Sequence, residues 1–168
     1  FVVDFMVLLY GIASERSGCR RRIKLERLCR PTKNRSGIMS EKTIQYWIDI
    51  SEYDLQVAKS LLDKDHYLYV GFMCHQAVEK MFKALYVKQT STMPPYIHKL
   101  DKLVDRVGLK MAMSKERNDF IDELTPLNIQ ARYPAYRETI YSLIDKEKAA
   151  QIIEKTEEIL QWLKAQIL

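Results

Sequence analysis

Between Val70 and Tyr86 the chain places Val70, Cys74, Ala77, Met81, Ala84 and Leu85 at helical spacing, with Phe72, Phe82 and Tyr86 beside that stripe. Steps of three and four residues put side chains on one face of an α-helix. The apolar surface here is wider than one face needs, so the segment from about His66 to Gln89 predicts a central helix with neighbours on more than one side. That demand constrains the whole chain, because so wide an apolar surface must be wrapped by other elements.

The flanking segments carry the periodicity to do the wrapping. From Ser40, a good N-cap, Ile44, Ile48, Leu55, Ala58 and Leu62 recur at helical spacing, widened by Trp47, Tyr53 and Val57, up to the polar break Asp63, Lys64, Asp65. Ser91, Thr92, Pro94 and Pro95 form a connector. Ile97, Leu100, Leu103, Val104 and Val107 then predict a short third helix that Gly108 ends, and Ser114 caps a fourth carried by Phe120, Ile121 and Leu124. Pro126 and Pro134 bound a segment that cannot be one regular helix, which places Arg132 and Tyr133 on a loop. Asp145 opens a last long helix, striped by Ala149, Ile152, Ile153, Thr156, Ile159, Leu160, Leu163 and Ile167. Nothing alternates with a period of two for long enough to argue a sheet. The expected fold is all-α, an antiparallel up-and-down bundle of about five helices over residues 39–168, long enough to bury roughly two-thirds of its unfolded surface around one core.

The net charge of +5, from 27 Lys and Arg against 22 Asp and Glu, suggests at first an anionic partner. Its distribution does not. Residues 1–38 hold nine of the basic side chains and only three acidic ones, which leaves 18 against 19 in residues 39–168. A domain without excess charge is poorly suited to broad, salt-dependent binding along a phosphate backbone. Residues 1–38 lack periodicity beyond the first dozen and run through Ser, Gly, Arg and Pro, so they read as a disordered basic leader that is not native to the domain, with Met39 as the natural start. The alternative is a genuine basic arm that finds RNA or an acidic partner. The apolar run Phe1–Ile12 precedes the arginines, the reverse of a secretory signal, and is too short to span a bilayer. Three cysteines, Cys19, Cys29 and Cys74, make no disulfide framework and fit a reducing cytoplasm.

Few residues could carry chemistry. Gln76, Lys80 and Lys83 fall at i, i+4 and i+7 on the second helix, a polar line able to hold a phosphate or ribose, and His75 and Glu79 form an adjacent i, i+4 pair. The competing reading makes the lysines a solvated edge and His75 a partner of Glu79 or a packed residue. In the loop, Arg132 and Arg137 flank Tyr133 and Tyr136, a set able to grip a phosphate and stack a base, or equally to pair with a helical carboxylate and fill a gap in the bundle. His98 reads as a local hydrogen-bonding residue at the turn. His66, His75 and His98 have no partners at metal-ligand spacing, there is no glycine-rich phosphate loop, and Cys74 on its apolar stripe reads as a buried, inert thiol. No catalytic residue, cofactor or metal is expected.

The run Cys74, His75, Gln76, Ala77, Val78, Glu79, Lys80, Met81, Phe82, Lys83, Ala84 resembles the second helix of HEPN domains, named for higher eukaryotes and prokaryotes nucleotide-binding. Pro95, Tyr96, Ile97, His98, Lys99, Leu100 resembles the family's opening of the third helix, and Arg132, Tyr133, Pro134 its late ARYP element. The resemblance implies a bundle of about five helices, commonly a homodimer, often encoded beside a minimal nucleotidyltransferase and frequently acting with it as toxin and antitoxin. Active ribonucleases of the family use an Arg followed a few residues later by a His, across the dimer interface. This chain has no His after His98, and Ala135 stands where the family has Asp, so that mechanism is not carried over. The expected function is a non-catalytic module binding a nucleotide, an RNA or a partner, with His75, Gln76, Lys80, Lys83, Arg132, Tyr133 and Arg137 as its candidate ligand residues. The alternatives are an atypical ribonuclease toxin joining His75 to Arg132 or Arg137, and a purely structural dimeric protein.

Overall fold

The computed structural model describes residues 41–130 and 144–168, apart from the side chains of residues 129 and 130. Six helices lie in these segments: α1 Glu41–Leu62, α2 Tyr67–Thr90, α3 Leu100–Arg106, α4 Lys115–Leu124, α5 Leu127–Gln130 and α6 Lys146–Ile167. No strand occurs among the described residues. None of these helices is long and apolar enough to cross a membrane.

The wide apolar surface of α2 has the consequence its sequence implied. Fifteen of its 24 residues are buried, and α1, α6, α3 and α5 all pack against it. Its Val70, Cys74, Ala77, Met81 and Leu85 meet Ile48 and Ala58 of α1 and Ile152, Ile159 and Leu163 of α6 in one core. At about 25 cal/mol per Å² of apolar surface, burying such side chains contributes roughly 1.5–3 kcal/mol each.

Direction follows from the cross-helix pairs. Lys59 meets Glu157 and Glu52 meets Lys164, so α1 and α6 are antiparallel. The four residues 63–66 fold α1 back on α2, with Asp65 left-handed at φ 58°. Antiparallel to both, α1 leaves α2 and α6 running the same way, and Thr156 of α6 accordingly lies against Cys74 of α2.

Helix ends follow local chemistry. Ser114 and Asp145 cap α4 and α6 by accepting from the backbone N–H groups of Arg117 and Lys148, at 3.4 and 2.8 Å. Gly108, at φ 70°, follows α3 in the left-handed conformation its lack of a Cβ allows. The third helix starts at Leu100, later than the apolar pattern suggests: Ile97 is held in a tight turn by its N–H to the Pro95 carbonyl, and Lys99 is still extended. Where α5 crosses α2, Gly71 makes the close approach possible, since a Cβ there would lie 2.7 Å from Leu127 Cδ1. Ser40 and the 131–143 segment fall outside the described residues.

Candidate functional site

The polar line of α2 is covered by α1. On α1, Ser51, Asp54 and Ala58 share one helical phase, and all three are buried against α2. Ser51 Oγ donates to the Ala77 carbonyl at 2.6 Å, which brings Asp54 down over Lys80. Lys80 Nζ donates to Asp54 Oδ2 at 2.5 Å and to Gln76 Oε1 at 3.1 Å, and Gln76 Nε2 donates to Asn128 Oδ1 at 3.4 Å. One polar chain therefore joins α1, α2 and α5.

A second cluster lies beside it. Lys83 Nζ donates to Glu79 Oε1 at 2.7 Å and sits 5.6 Å from the centroid of the Trp47 ring, a cation–π distance. Across the connector, His98 Nδ1 lies 3.1 and 3.2 Å from the two oxygens of the same carboxylate. The Glu79 side chain is 3% exposed and that of His98 47%. An ionised carboxylate can only accept, so Nδ1 carries the hydrogen, and whenever the ring is neutral its lone pair is on Nε2. Glu79 and His98 belong to two separate sequence motifs, and the fold makes them a single unit.

The two buried carboxylates respond oppositely to similar surroundings. Burial pushes Asp54 up, and Lys80 does not outweigh it, in part because Glu79 repels the ionised form. Burial acts on Glu79 in the same direction, but Lys83, assisted by His98 and His75, holds it below the usual carboxylate range. The difference is the number of cationic or donor partners: one lysine for Asp54, a lysine and two imidazoles for Glu79. The Cys74 thiol, buried and near Thr156, is pushed up to about 12, so it is held as the inert thiol.

The candidate residues are thus placed as follows. His75 is fully buried, close enough to Glu79 to act on its charge but without solvent access, because α2 is enclosed at this level. It is an interior residue. Lys83, at 9% side-chain exposure, is likewise internal, paired with Glu79 where a solvated edge or a ligand contact was expected. Lys80 and Gln76 are partly buried and engaged as above. Arg132, Tyr133 and Arg137 lie outside the described residues. Arg117 stacks 4.9 Å from the Trp162 ring, holding α4 to α6.

Sequence reasoning missed Asp54 and Asn128, and took His98 as local. Asp54 had a signal: a carboxylate at the helical phase of Ser51 and Ala58 must be buried and therefore paired. A cavity of about 360 Å³ between α4 and α6 is lined by Glu116, Asp119, Glu123 and Glu158 against Lys155, the wrong charge for a phosphate. Among the described residues no group of His, Cys, Asp and Glu is arranged to hold a metal ion.

Comparison with known proteins agrees with this architecture. The HEPN domain model matches residues 44–166. Among solved structures the fold is similar to TT1696 from Thermus thermophilus, with a TM-score of 0.63 and 18% identity, covering 73% of this chain and 97% of that one. It is also similar to ST0689, an archaeal HEPN homologue, with a TM-score of 0.55 and 23% identity, covering 74% of this chain and 98% of that one. No curated protein matches the sequence. With its family match spanning all six helices but the extreme ends, and with two solved structures sharing its fold, the chain belongs to the HEPN domain family.

Proposed function

We propose that this HEPN domain is a non-catalytic binding module, which takes up a ribonucleotide, free or in RNA, and works in the cytoplasm with a separately encoded nucleotidyltransferase. A homodimer in a toxin–antitoxin-type pair is the arrangement in which it acts. The observation that carries the non-catalytic part of the reading is the closure of the α2 polar line, and family membership supports the nucleotide part. Lys80 is neutralised by Asp54 and Lys83 by Glu79, so the cations nearest the family motif hold the bundle together. General acid–base chemistry needs a proton-moving group within hydrogen-bond reach of the reacting atoms, and His75, the histidine of the ribonuclease alternative, is fully buried and offers none at the surface.

Thermal unfolding of the chain with and without ATP, GTP and short RNAs tests the binding. A ligand at one hundred times its dissociation constant stabilises by about 2.7 kcal/mol, a shift of several degrees. Co-purification with the neighbouring nucleotidyltransferase and sedimentation equilibrium test the partner and the dimer. No shift with any ligand and no complex would remove the support for this reading, and specific RNA cleavage by the purified chain would replace it with the ribonuclease alternative.

A further inference from the structure

The connector between α2 and α3 presents three exposed side chains, one of which, His98, is anchored to the bundle through a single ring nitrogen. Tyr96 is 96% exposed, an aromatic ring standing almost wholly in water, where burial would stabilise it. Two residues on, His98 is fixed by the buried Glu79 carboxylate through Nδ1, and among the described residues Nε2 has no hydrogen-bond partner. Lys99 follows, exposed, with an extended backbone. The segment is not a loose loop: Ser91 ends α2 with its N–H on the Val87 carbonyl, Pro94 is buried, and the Ile97 N–H closes on the Pro95 carbonyl.

The chemistry of this edge is specific. An exposed tyrosine is a stacking platform for a base. A lysine supplies charge to a phosphate. The histidine is more selective, because Glu79 holds the hydrogen on Nδ1 of this half-exposed ring: in the neutral form Nε2 accepts a hydrogen bond from a hydroxyl. A ribose 2′-hydroxyl is such a donor and is what distinguishes RNA from DNA at a given site. Charged and titratable groups around the imidazole are Glu79, Lys83 and His75 from α2 and Lys99 from the connector itself.

We propose that the connector Tyr96–Lys99 is a ribonucleoside-phosphate site, in which Tyr96 stacks the base, His98 Nε2 accepts from the ribose hydroxyl and Lys99 faces the phosphate. The proposal rests on the nucleotide-binding reading above and gives it a location away from the α2 line. Free nucleotide and single-stranded RNA share this chemistry, so both are probes.

Binding of fluorescein-labelled five-nucleotide RNAs, their 2′-deoxy counterparts and, by competition, AMP is measured on the whole chain and on Tyr96→Ala, His98→Phe and Lys99→Gln. Tyr96→Ala, at a fully exposed position, is expected to weaken RNA about tenfold without changing thermal stability. His98→Phe is expected to remove the preference for ribo over deoxy, and its melting curve reports whether the connector stays docked. Competition by AMP at the RNA's own affinity identifies the ligand as free nucleotide, and failure of AMP to compete identifies it as an RNA chain. RNA bound equally well by wild type and Tyr96→Ala, or DNA bound as tightly as RNA, overturns the site and leaves the nucleotide-binding reading standing. Absence of binding by the wild type overturns both.

Discussion

Replacing Glu79 by Gln tests whether the bundle depends on its buried charge cluster. Glu79 is 3% exposed, accepts from Lys83 Nζ at 2.7 Å and holds His98 through both oxygens. The substitution keeps the shape and removes the charge, leaving an ammonium that is more than nine-tenths buried opposite a neutral amide. Breaking one side of a buried pair costs about 3–5 kcal/mol, and the amide oxygen and the Trp47 ring recover part of that, so a loss of about 3 kcal/mol is expected. For a domain of this size the corresponding fall in Tm is roughly 10 °C. Adding Lys83→Met removes the stranded charge as well. Neutral replacement of a whole buried pair is often close to neutral, so the double variant should regain stability to within about 1 kcal/mol of wild type.

The pH dependence has a definite sign. Glu79 is held below its ordinary value of 4.5 in the folded state, so its contribution is complete above that value and is lost as pH falls through the lower folded value. The advantage of wild type over Glu79→Gln should be full at pH 7 and shrink on acidification. Asp54, raised above 3.8, acts in the opposite direction; its rise comes first from burial, which both proteins share, and only the smaller part due to Glu79 itself enters the difference. Urea denaturation at several pH values reads all of this. A single variant within 1 kcal/mol of wild type, a double variant no better than the single, or a difference that grows in acid would refute the reasoning.

Three further outcomes are expected. Cys74 should resist alkylation in the native chain at pH 8 and react only on unfolding, because its thiol is pushed up to about 12, and mass spectrometry of its peptide reads the result. Gly71→Ala should be neutral or destabilising in wild type, where the new methyl meets Leu127 Cδ1. In a Leu127→Ala background it should stabilise by about 1 kcal/mol through helix propensity, and equal effects in both backgrounds would dismiss the contact. Ser91→Gly should stabilise by about 0.5–1 kcal/mol, since Ser91 is left-handed at φ 53°, and an unchanged or lowered denaturation midpoint would count against strain there.

The helices were legible in the sequence because the forces that form them act over three or four residues. Ser114, Asp145 and Gly108 marked ends that the structure keeps, and the all-round apolar pattern of Val70–Tyr86 marked the central helix. The charge pairs were not legible, for a physical reason. Asp54 meets Lys80 across 26 residues and His98 meets Glu79 across 19, and no local period records which polar residue will face which once two helices dock. Lys83 misled for a related reason: its long apolar stem can run along Trp47 inside the bundle, so a lysine on a helix face need not mark a solvated one. Ile97 shows the opposite error, an apolar residue in phase with α3 that a proline-bound turn keeps out of it.

The shared direction of α2 and α6 carries a consequence for how the chain reaches its native state. Having descended α2, the chain must be returned over a helix length, about 33 Å, before α6 can begin, so α6 joins α2 only through contacts distant in sequence. The α1–α2 hairpin closes over four residues and has a far smaller loop-closure entropy to overcome. Assembly is therefore expected to be sequential, with the hairpin as nucleus and α6 as the late arrival. In chevron measurements, Ile48→Val and Ala77→Gly should slow refolding, whereas Ile159→Val and Leu163→Ala should mainly hasten unfolding. The last helix then becomes the natural place for the domain to open, and the lifetime of the native state is set by its grip.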